Sequence, residues 1–484
     1  MPDKLFDTVV VGAGFSGIGF AYHIKRKKID NFIILEQAQD IGGVWRENTY
    51  PGAACDAPSH LYSYSFATRF PWSSRFAPQR EIHNYLKQCA DSFGLGKHIR
   101  FGIKIISASY IETTGTWLLE TQDHETYFCK ALVWAVGQLN RPKIPNIPGQ
   151  DTAGHISFHS AEWRHDVDLN GKKVAVIGTG SSAVQFAPRI AKLANALTIF
   201  QRSPGYIRPK PDLTYTPKQM ALLNAFPILR KLDRLKFYIV NEYRFLTFED
   251  EKRNRLAQAG FRASLSRQVP DQNLQSQLTP DYPLGCKRGL PSNEWLPMFS
   301  QSHVTLETGR ISEVKPHGIR MDDGRMHPTD VIIYATGFKT TAFLEPIIIK
   351  GRNGLPLAHK WEAGAQAYLG MTVSHFPNMF ILYGPNTNLG HTSVVYMLES
   401  QFRYISKAIS HLLKGHRSMD VLEEVENRYN MDLQAKLAKT VMVTGGCTSW
   451  FKNEAGKVIN NWPGFSFLYR WRTRRFNPGD YRID

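Results

Sequence analysis

The chain has 484 residues, 42 % of them hydrophobic and 21 % charged, with a formal net charge of +17. That length is too great for one hydrophobic core and the composition argues against disorder, so a globular protein of two or three domains is expected. The positive balance suits nucleic acid, an anionic membrane surface or the grooves that bind phosphate-rich cofactors, and charge alone does not choose among them.

The Met1-Pro2-Asp3-Lys4 start, followed by a strand-like run with Asp7 inside it, offers no charged-then-apolar leader. No apolar run is long enough to span a bilayer. The five cysteines, Cys55, Cys89, Cys129, Cys286 and Cys447, show neither a C-x-x-C pair nor zinc-ligand spacing. Reduced thiols, a cytoplasmic location and no metal site are therefore expected.

Residues 6–11 form a β-branched run that enters Gly12-Ala13-Gly14-Phe15-Ser16-Gly17, after which Ile18, Phe20, Ala21 and Ile24 keep helical spacing. A second strand, 32–35, ends at Glu36. The same order recurs further on, where Val174-Ala175-Val176-Ile177 leads into Gly178-Thr179-Gly180-Ser181-Ser182-Ala183 and the strand 197–200 ends at Arg202. Strand, glycine turn, helix and later charge in that order make two dinucleotide-binding units. Two more strands, 131–137 and 331–337, finish in Ala-x-Gly turns and bracket the second unit, and the Pro142–Pro148 stretch reads as a stiff linker.

The expected fold is therefore α/β, with two Rossmann-like domains, the second inserted into the first. The domain reading is 1–144 and 336–484 for the first unit with a C-terminal cap, and 145–335 for the second. A helical embellishment rich in Leu, Arg, Lys and Gln occupies about 215–280.

Glu36 and Arg202 each stand 24 positions after the first glycine of their turn and so occupy equivalent places. A carboxylate accepts hydrogen bonds from free ribose hydroxyls and repels a 2′-phosphate, whereas a guanidinium binds that phosphate with paired charge-assisted bonds. The first site reads as FAD and the second as NADP(H). In both, the glycines let backbone approach the pyrophosphate, and the following helix offers free N–H groups to it. The basic cluster Arg470, Arg472, Arg474 and Arg475 alternates with Tyr469 and Trp471 in a way that could track a phosphate backbone. A solvated basic tail is the simpler reading, and no nucleic-acid partner is expected.

After the second strand come Gly42-Gly43-Val44-Trp45, Tyr50-Pro51-Gly52 and an aromatic-rich loop from Cys55-Asp56 to Phe66. This stretch resembles the [AG]-G-x-W-x4-[FY]-P-[GM]-x3-D motif of Baeyer–Villiger monooxygenases, matched at every fixed position by Gly42, Gly43, Trp45, Tyr50, Pro51, Gly52 and Asp56. The resemblance extends over the two nucleotide units, the Ala335-Thr336-Gly337 turn and Gly285-Cys286-Lys287-Arg288. It implies that Arg288 is the active-site arginine, paired with Asp56, and that Lys287, Arg202 and Ser203 hold the NADPH 2′-phosphate. It further implies that Glu36, Val44, Trp45, Asp56, Tyr62 and Ile105 line FAD, with Val394 approaching the flavin from the loop before it.

The implied reaction consumes NADPH and O2 and inserts one oxygen atom into a ketone to give an ester or lactone, through a C4a-peroxyflavin that Arg288 stabilises. The family's linker, F-x-G-x3-H-x3-W-[PD], is half present. His159 and Trp163 match, while Ala153, His155 and Arg164 stand where the family has other residues. His159 is expected to position domains rather than transfer protons. Two readings compete: a sulfur or nitrogen oxygenase of the flavin-containing type, acting on a thioether or amine, and a disulfide reductase, which would need a redox-active cysteine pair beside the flavin.

Overall fold

In the computed structural model, which describes residues 4–484, the opening β-branched run becomes β1 (Leu5–Val11). The Met1–Asp3 part of the start, on which the reading of a missing leader partly rests, lies outside the described residues. From β1 the chain turns at Gly12 into α1 (Phe15–Arg26) and returns as β2 (Phe32–Glu36). It later adds β3 (Ile99–Phe101) and a meander of β4 (Ile105–Ile111), β5 (Thr116–Thr121) and β6 (Thr126–Trp134). β1 lies between β2 and β6, parallel to both, with Val10 opposite Ile34 and Val133. Being covered on both faces, these strands are continuously apolar rather than alternating. Val9, Val11 and Leu35 pack on one face with Trp117, and Val10, Ile34 and Val133 on the other with Ile18 and Phe402.

The second sheet is parallel throughout. It contains β7 (Ile156–His159), β8 (Lys173–Ile177), β9 (Ala196–Phe200), β10 (Val304–Glu307) and β11 (Val331–Tyr334), in the spatial order β10-β9-β8-β11-β7. Its first turn leads into α2 (Ser181–Ile190). After β11 the chain goes back to the first sheet, where β12 (Ile348–Lys350) joins β4 and β13 (Met379–Ile381) joins the upper half of β6. The second unit is thus inserted into the first.

The outgoing and returning crossings run side by side. Lys143 N donates to Gly337 O and Lys339 N to Arg141 O, both at 2.9 Å. The proline-rich linker therefore lies along the return segment instead of hanging free. The insert consists of α3 (Pro217–Ala225), α4 (Pro227–Arg244), α5 (Glu251–Gln268) and α6 (Gln272–Leu278). Near the C-terminus, α7 (Val394–Leu412) packs on α1, and α8 (Ser466–Arg472) packs on α7.

Candidate active site

The first glycine turn is shaped by close backbone approach. Gly12 sits at φ +106°, and a Cβ added there would lie 2.7 Å from Ala135 O, so no side chain is accommodated. Gly14 caps α1 without any side-chain hydrogen bond, and Phe15, Ser16 and Gly17 make up the first turn, leaving the leading N–H groups free for an anion. Glu36 is buried beneath the turn. One of its carboxylate oxygens accepts from Ala13 N at 2.8 Å, the other from Ala38 N at 3.0 Å and from Arg46 at 3.3 Å.

Across the groove Gly43 faces Gly14, followed by Val44, and Trp45 Nε1 donates to Tyr62 OH at 3.1 Å. Phe15 meets Tyr62 edge-on with ring centres 5.0 Å apart. Val394 is half-buried as the first residue of α7, beside the Thr392 hydroxyl, which is buried and has no partner. The Gln138 carbonyl oxygen is likewise buried and unpartnered. Free helix N–H groups, an aromatic wall and orphaned buried polar atoms fit a flat ring joined to a pyrophosphate. Ile105 does not join this group. It is buried in the cluster with Val11 and Leu35, on the face of the sheet away from Trp45 and Tyr62.

The second turn repeats the first. Gly178 sits at φ +107°, a Cβ there would lie 2.5 Å from Ala335 O, and Gly180 caps α2 without a side-chain bond. Thr179 Oγ1 donates to Ser203 O at 3.3 Å, Ser181 and Ser182 open the helix, and Ala183 is buried. Arg202 is exposed, and the Lys287 amine donates to the Ser203 hydroxyl. Burial and then the charge of Arg202 hold the Lys287 amine below the ordinary lysine range, with Asp281 pulling weakly the other way. Two neighbouring cations, one bonded to a serine hydroxyl, are a donor set suited to a phosphate dianion.

Between the units, Asp56 from the aromatic loop meets Arg288 from the inserted domain. Arg288 Nε donates to Asp56 Oδ2 at 3.0 Å, and Nη2 to Oδ1 and Oδ2 at 2.8 and 2.7 Å. The side chains remain 27 % and 21 % exposed, so the pair is reachable from the cleft. Burial opposes ionisation of Asp56, but the charge and hydrogen bonds of Arg288 outweigh it and hold the carboxyl below the usual range. Asp56 in turn raises Arg288. Gly285, at φ +97°, lets Phe248 close over this loop, since a Cβ there would lie 2.5 Å from the phenyl ring.

The Tyr50-Pro51-Gly52 turn docks on α2. Tyr50 OH donates to Gln185 Oε1 at 2.9 Å, and a Cβ on Gly52 would lie 2.8 Å from Gln185 O. The motif thus shapes one cofactor wall with Trp45, joins the two units with Tyr50 and Gly52, and anchors the arginine with Asp56.

Residues 9–254 match the family model described as pyridine nucleotide-disulphide oxidoreductase. The chain is 38 % identical over 479 residues to a Baeyer–Villiger monooxygenase of Pseudomonas aeruginosa, covering 98 % of this chain and 90 % of that one. It is 37 % identical to a Baeyer–Villiger monooxygenase of Streptomyces coelicolor, covering 98 % of this chain and 92 % of that one. The chain belongs to the Baeyer–Villiger monooxygenases. Among solved structures, OTEMO in complex with FAD and NADP superposes with a TM-score of 0.90 at 26 % identity, and the closed form of cyclohexanone monooxygenase with 0.90 at 28 %, each covering 99 % of both chains. As a member of that family the chain is an NADPH-dependent flavoprotein monooxygenase.

Within this Baeyer–Villiger monooxygenase the linker residues lie at the junction of the units. His159, on β7, is buried. Its Nδ1 accepts from Ala161 N at 3.1 Å, its ring lies against Phe338, and burial lowers its pKa. It therefore caps a turn beside the crossing, with burial disfavouring its charged form. Trp163 packs on Phe158 and Phe186. At the departures from the family pattern, Ala153 is buried in a core cluster, His155 bonds Lys315 O at 2.7 Å, and Arg164 pairs with Asp166 on the surface.

The expectation of reduced thiols throughout is overturned. Cys286 and Cys447 are joined in a disulfide, leaving Cys55, Cys89 and Cys129 as free, buried thiols. The partners are 161 positions apart, and only the folding of the C-terminal segment over the arginine loop brings them together. That segment also pairs with the loop before α7: Asn388 N donates to Asn460 O, and Trp462 N to Asn388 O, both at 2.9 Å.

Two neighbours of the Asp56–Arg288 pair carry no sequence signal. Arg208 is pushed down to about 10 by burial and by the charge of Arg244, and so remains a cation at neutral pH. Tyr383 lies close enough to raise Arg288, and its hydroxyl donates to Asn388 Oδ1 at 2.6 Å. Only the fold places them in the cleft.

Proposed function

We infer that this monooxygenase converts a ketone, O2, NADPH and a proton into an ester or lactone, NADP+ and water. In this reading FAD is held by residues 1–144 and 336–484, and NADPH by 145–335. The observation that carries it is the Arg288 guanidinium, fixed by three hydrogen bonds to Asp56 in a cleft where the two units meet. Bound FAD, once reduced by NADPH, supplies the electrons and the activation of dioxygen.

The chain's own residues supply position and charge. Glu36 and the free N–H groups of α1 hold the ribose and pyrophosphate of FAD, while Val44, Trp45, Tyr62 and Val394 bound it; Ile105, packed on the far face of the sheet, takes no part. Arg202, Ser203 and Lys287 grip the 2′-phosphate of NADPH above the turn 178–183. Asp56 occupies Nε and Nη2 of Arg288, leaving Nη1 to donate to an oxygen on which negative charge grows. A preorganised cation of this kind favours attack on a carbonyl, because charge develops on the carbonyl oxygen in the transition state.

The departures at Ala153, His155 and Arg164 support a second reading, in which the same cleft oxygenates sulfur or nitrogen. The purified enzyme should be given cyclic, linear and aryl ketones together with thioethers, with NADPH use followed by absorbance and products by mass spectrometry. Ester or lactone formed in step with NADPH use is expected. Sulfoxide without ester would replace the first reading with the second.

A further inference from the structure

An amphipathic helix on a globular surface ordinarily turns its apolar stripe to the core. In α4 the order is reversed. Ile228, Leu232, Leu235, Ile239 and Tyr243 recur at spacings of four, three, four and four and so form one stripe, and each is between 47 % and 65 % exposed.

The inward face is anchored by polar contacts, with Tyr238 stacked on Tyr396 beside them. Arg230 donates to Thr68 O at 2.9 Å, Asp233 pairs with His60 at 2.7 Å, and Arg234 donates to Ser63 O at 2.6 Å. Near the end of the helix, Glu242 accepts from the backbone N and the hydroxyl of Ser466. These contacts fix the rotation of the helix and force the stripe outward. It is a built face, held by buried polar bonds on the opposite side, and not a loosely packed core helix.

The face extends to both sides. α3 buries none of its residues and leaves Leu222 half exposed, with Phe226 exposed at the joint to α4. α8, anchored to α4 through Ser466, exposes Phe467, Leu468 and Trp471. A contiguous apolar surface of this kind marks an interaction site.

Charge selects the partner. Lys231 and Lys236 are exposed on the two flanks of the stripe, and Arg472, Arg474 and Arg475 are exposed at the end of α8. Within 216–244 the only acids are Asp233 and Glu242, both turned inward, and 465–475 contains none. A second copy of the chain would bring its own basic rim against this one, and nucleic acid would gain nothing from an apolar stripe. An apolar face rimmed by lysine and arginine matches the acyl–headgroup boundary of an anionic bilayer.

We propose that α4, with α3 and α8 beside it, is a peripheral docking surface for anionic membranes. The helix lies in the interface with Leu235 and Ile239 among the upper acyl chains and the basic rim at the headgroups. Among the described residues no helix is long and apolar enough to cross a membrane. The same element leads to the cleft: four residues beyond α4, Phe248 covers Gly285 and faces Gly390. Docking would thus bring the reaction cleft close to apolar substrates dissolved in the bilayer. The docking itself does not depend on which substrate is oxidised.

The test is flotation of the FAD-loaded enzyme with vesicles of phosphatidylcholine containing phosphatidylglycerol, against vesicles of phosphatidylcholine alone, at low and high salt. The enzyme should float with the anionic vesicles, less so as salt rises. Leu235→Glu/Ile239→Glu should lower the partition coefficient about tenfold or more while keeping flavin absorbance and NADPH oxidation. Lys231→Gln/Lys236→Gln leaves the apolar stripe intact and should lower it several-fold. Failure of the enzyme to float with anionic vesicles at low salt would overturn the proposal, as would flotation that neither variant changes. A dimer in light scattering that the acidic variant splits would assign the surface to a second copy instead.

Discussion

The two glycine turns have nearly the same backbone and opposite chemistry. Gly12 and Gly178 adopt φ values of +106° and +107°, and each is pressed against the carbonyl of an alanine in an Ala-x-Gly turn. The charges that follow differ in sign and in burial. Glu36 is buried and hydrogen-bonded to the turn itself, so it belongs to the wall before any ligand arrives. Arg202 is exposed and Lys287 partly so, on the rim of their turn. A buried, preformed wall suits a group that stays bound through many cycles, and an open cationic rim suits one that enters and leaves. In the proposed reading, one backbone solution serves a resident flavin at the first turn and an exchanging nicotinamide at the second.

The same methyl group placed in both turns should have opposite consequences for the two cofactors. Strain at a positive φ and a clash with backbone cost a few kcal/mol. Gly12→Ala should therefore purify largely without flavin, read from the ratio of visible to ultraviolet absorbance. Gly178→Ala should remain yellow but fail to be reduced by NADPH in stopped flow.

Next in size, Arg202→Ala should lower kcat/KM for NADPH by roughly thirtyfold, the equivalent of about 2 kcal/mol for one lost charge-assisted contact, and leave that for NADH almost unchanged. An unaltered NADPH:NADH ratio would mean that the phosphate is read elsewhere.

A smaller effect concerns pH. The Lys287 amine, held low by burial and by Arg202, loses its proton at a lower pH than an ordinary lysine. Its cation is therefore present on the acid side and lost as pH rises, so kcat/KM for NADPH should fall on the alkaline side. Lys287→Arg should flatten that limb without shifting the acid limb.

The smallest expected effect is a count. Thiol titration of the unfolded, unreduced chain should find the three free cysteines Cys55, Cys89 and Cys129, and all five after reduction. Five before reduction would remove the Cys286–Cys447 link.

Much of this architecture is legible in the chain because it is local. Strand, glycines, helix and charge follow one another within about thirty residues in each unit, so both turns and the contrast between Glu36 and Arg202 can be read directly. The Tyr50-Pro51-Gly52 turn is also recognisable, but its docking on Gln185 is not, because the glutamine lies 135 positions away. The same holds for Arg208, Tyr383 and the Cys286–Cys447 link, which depend on how the inserted unit and the C-terminal segment close over the cleft. The periodicity of 227–244 reveals a helix but not which side faces outward. That is decided by backbone carbonyls at Ser63 and Thr68, which accept the polar face.

In the proposed mechanism, oxygenation depends above all on Arg288. The decisive measurement is a single turnover of the Arg288→Ala enzyme with NADPH, O2 and a ketone accepted by the unaltered enzyme, recording flavin reduction and ester in the same reaction. Flavin bound and reduced at close to the normal rate, with ester reduced about a hundredfold or more, is predicted from the loss of a preorganised charge. Ester formed in full would remove Arg288 from the mechanism, because oxygenation would then proceed without the cation that Asp56 holds in the cleft.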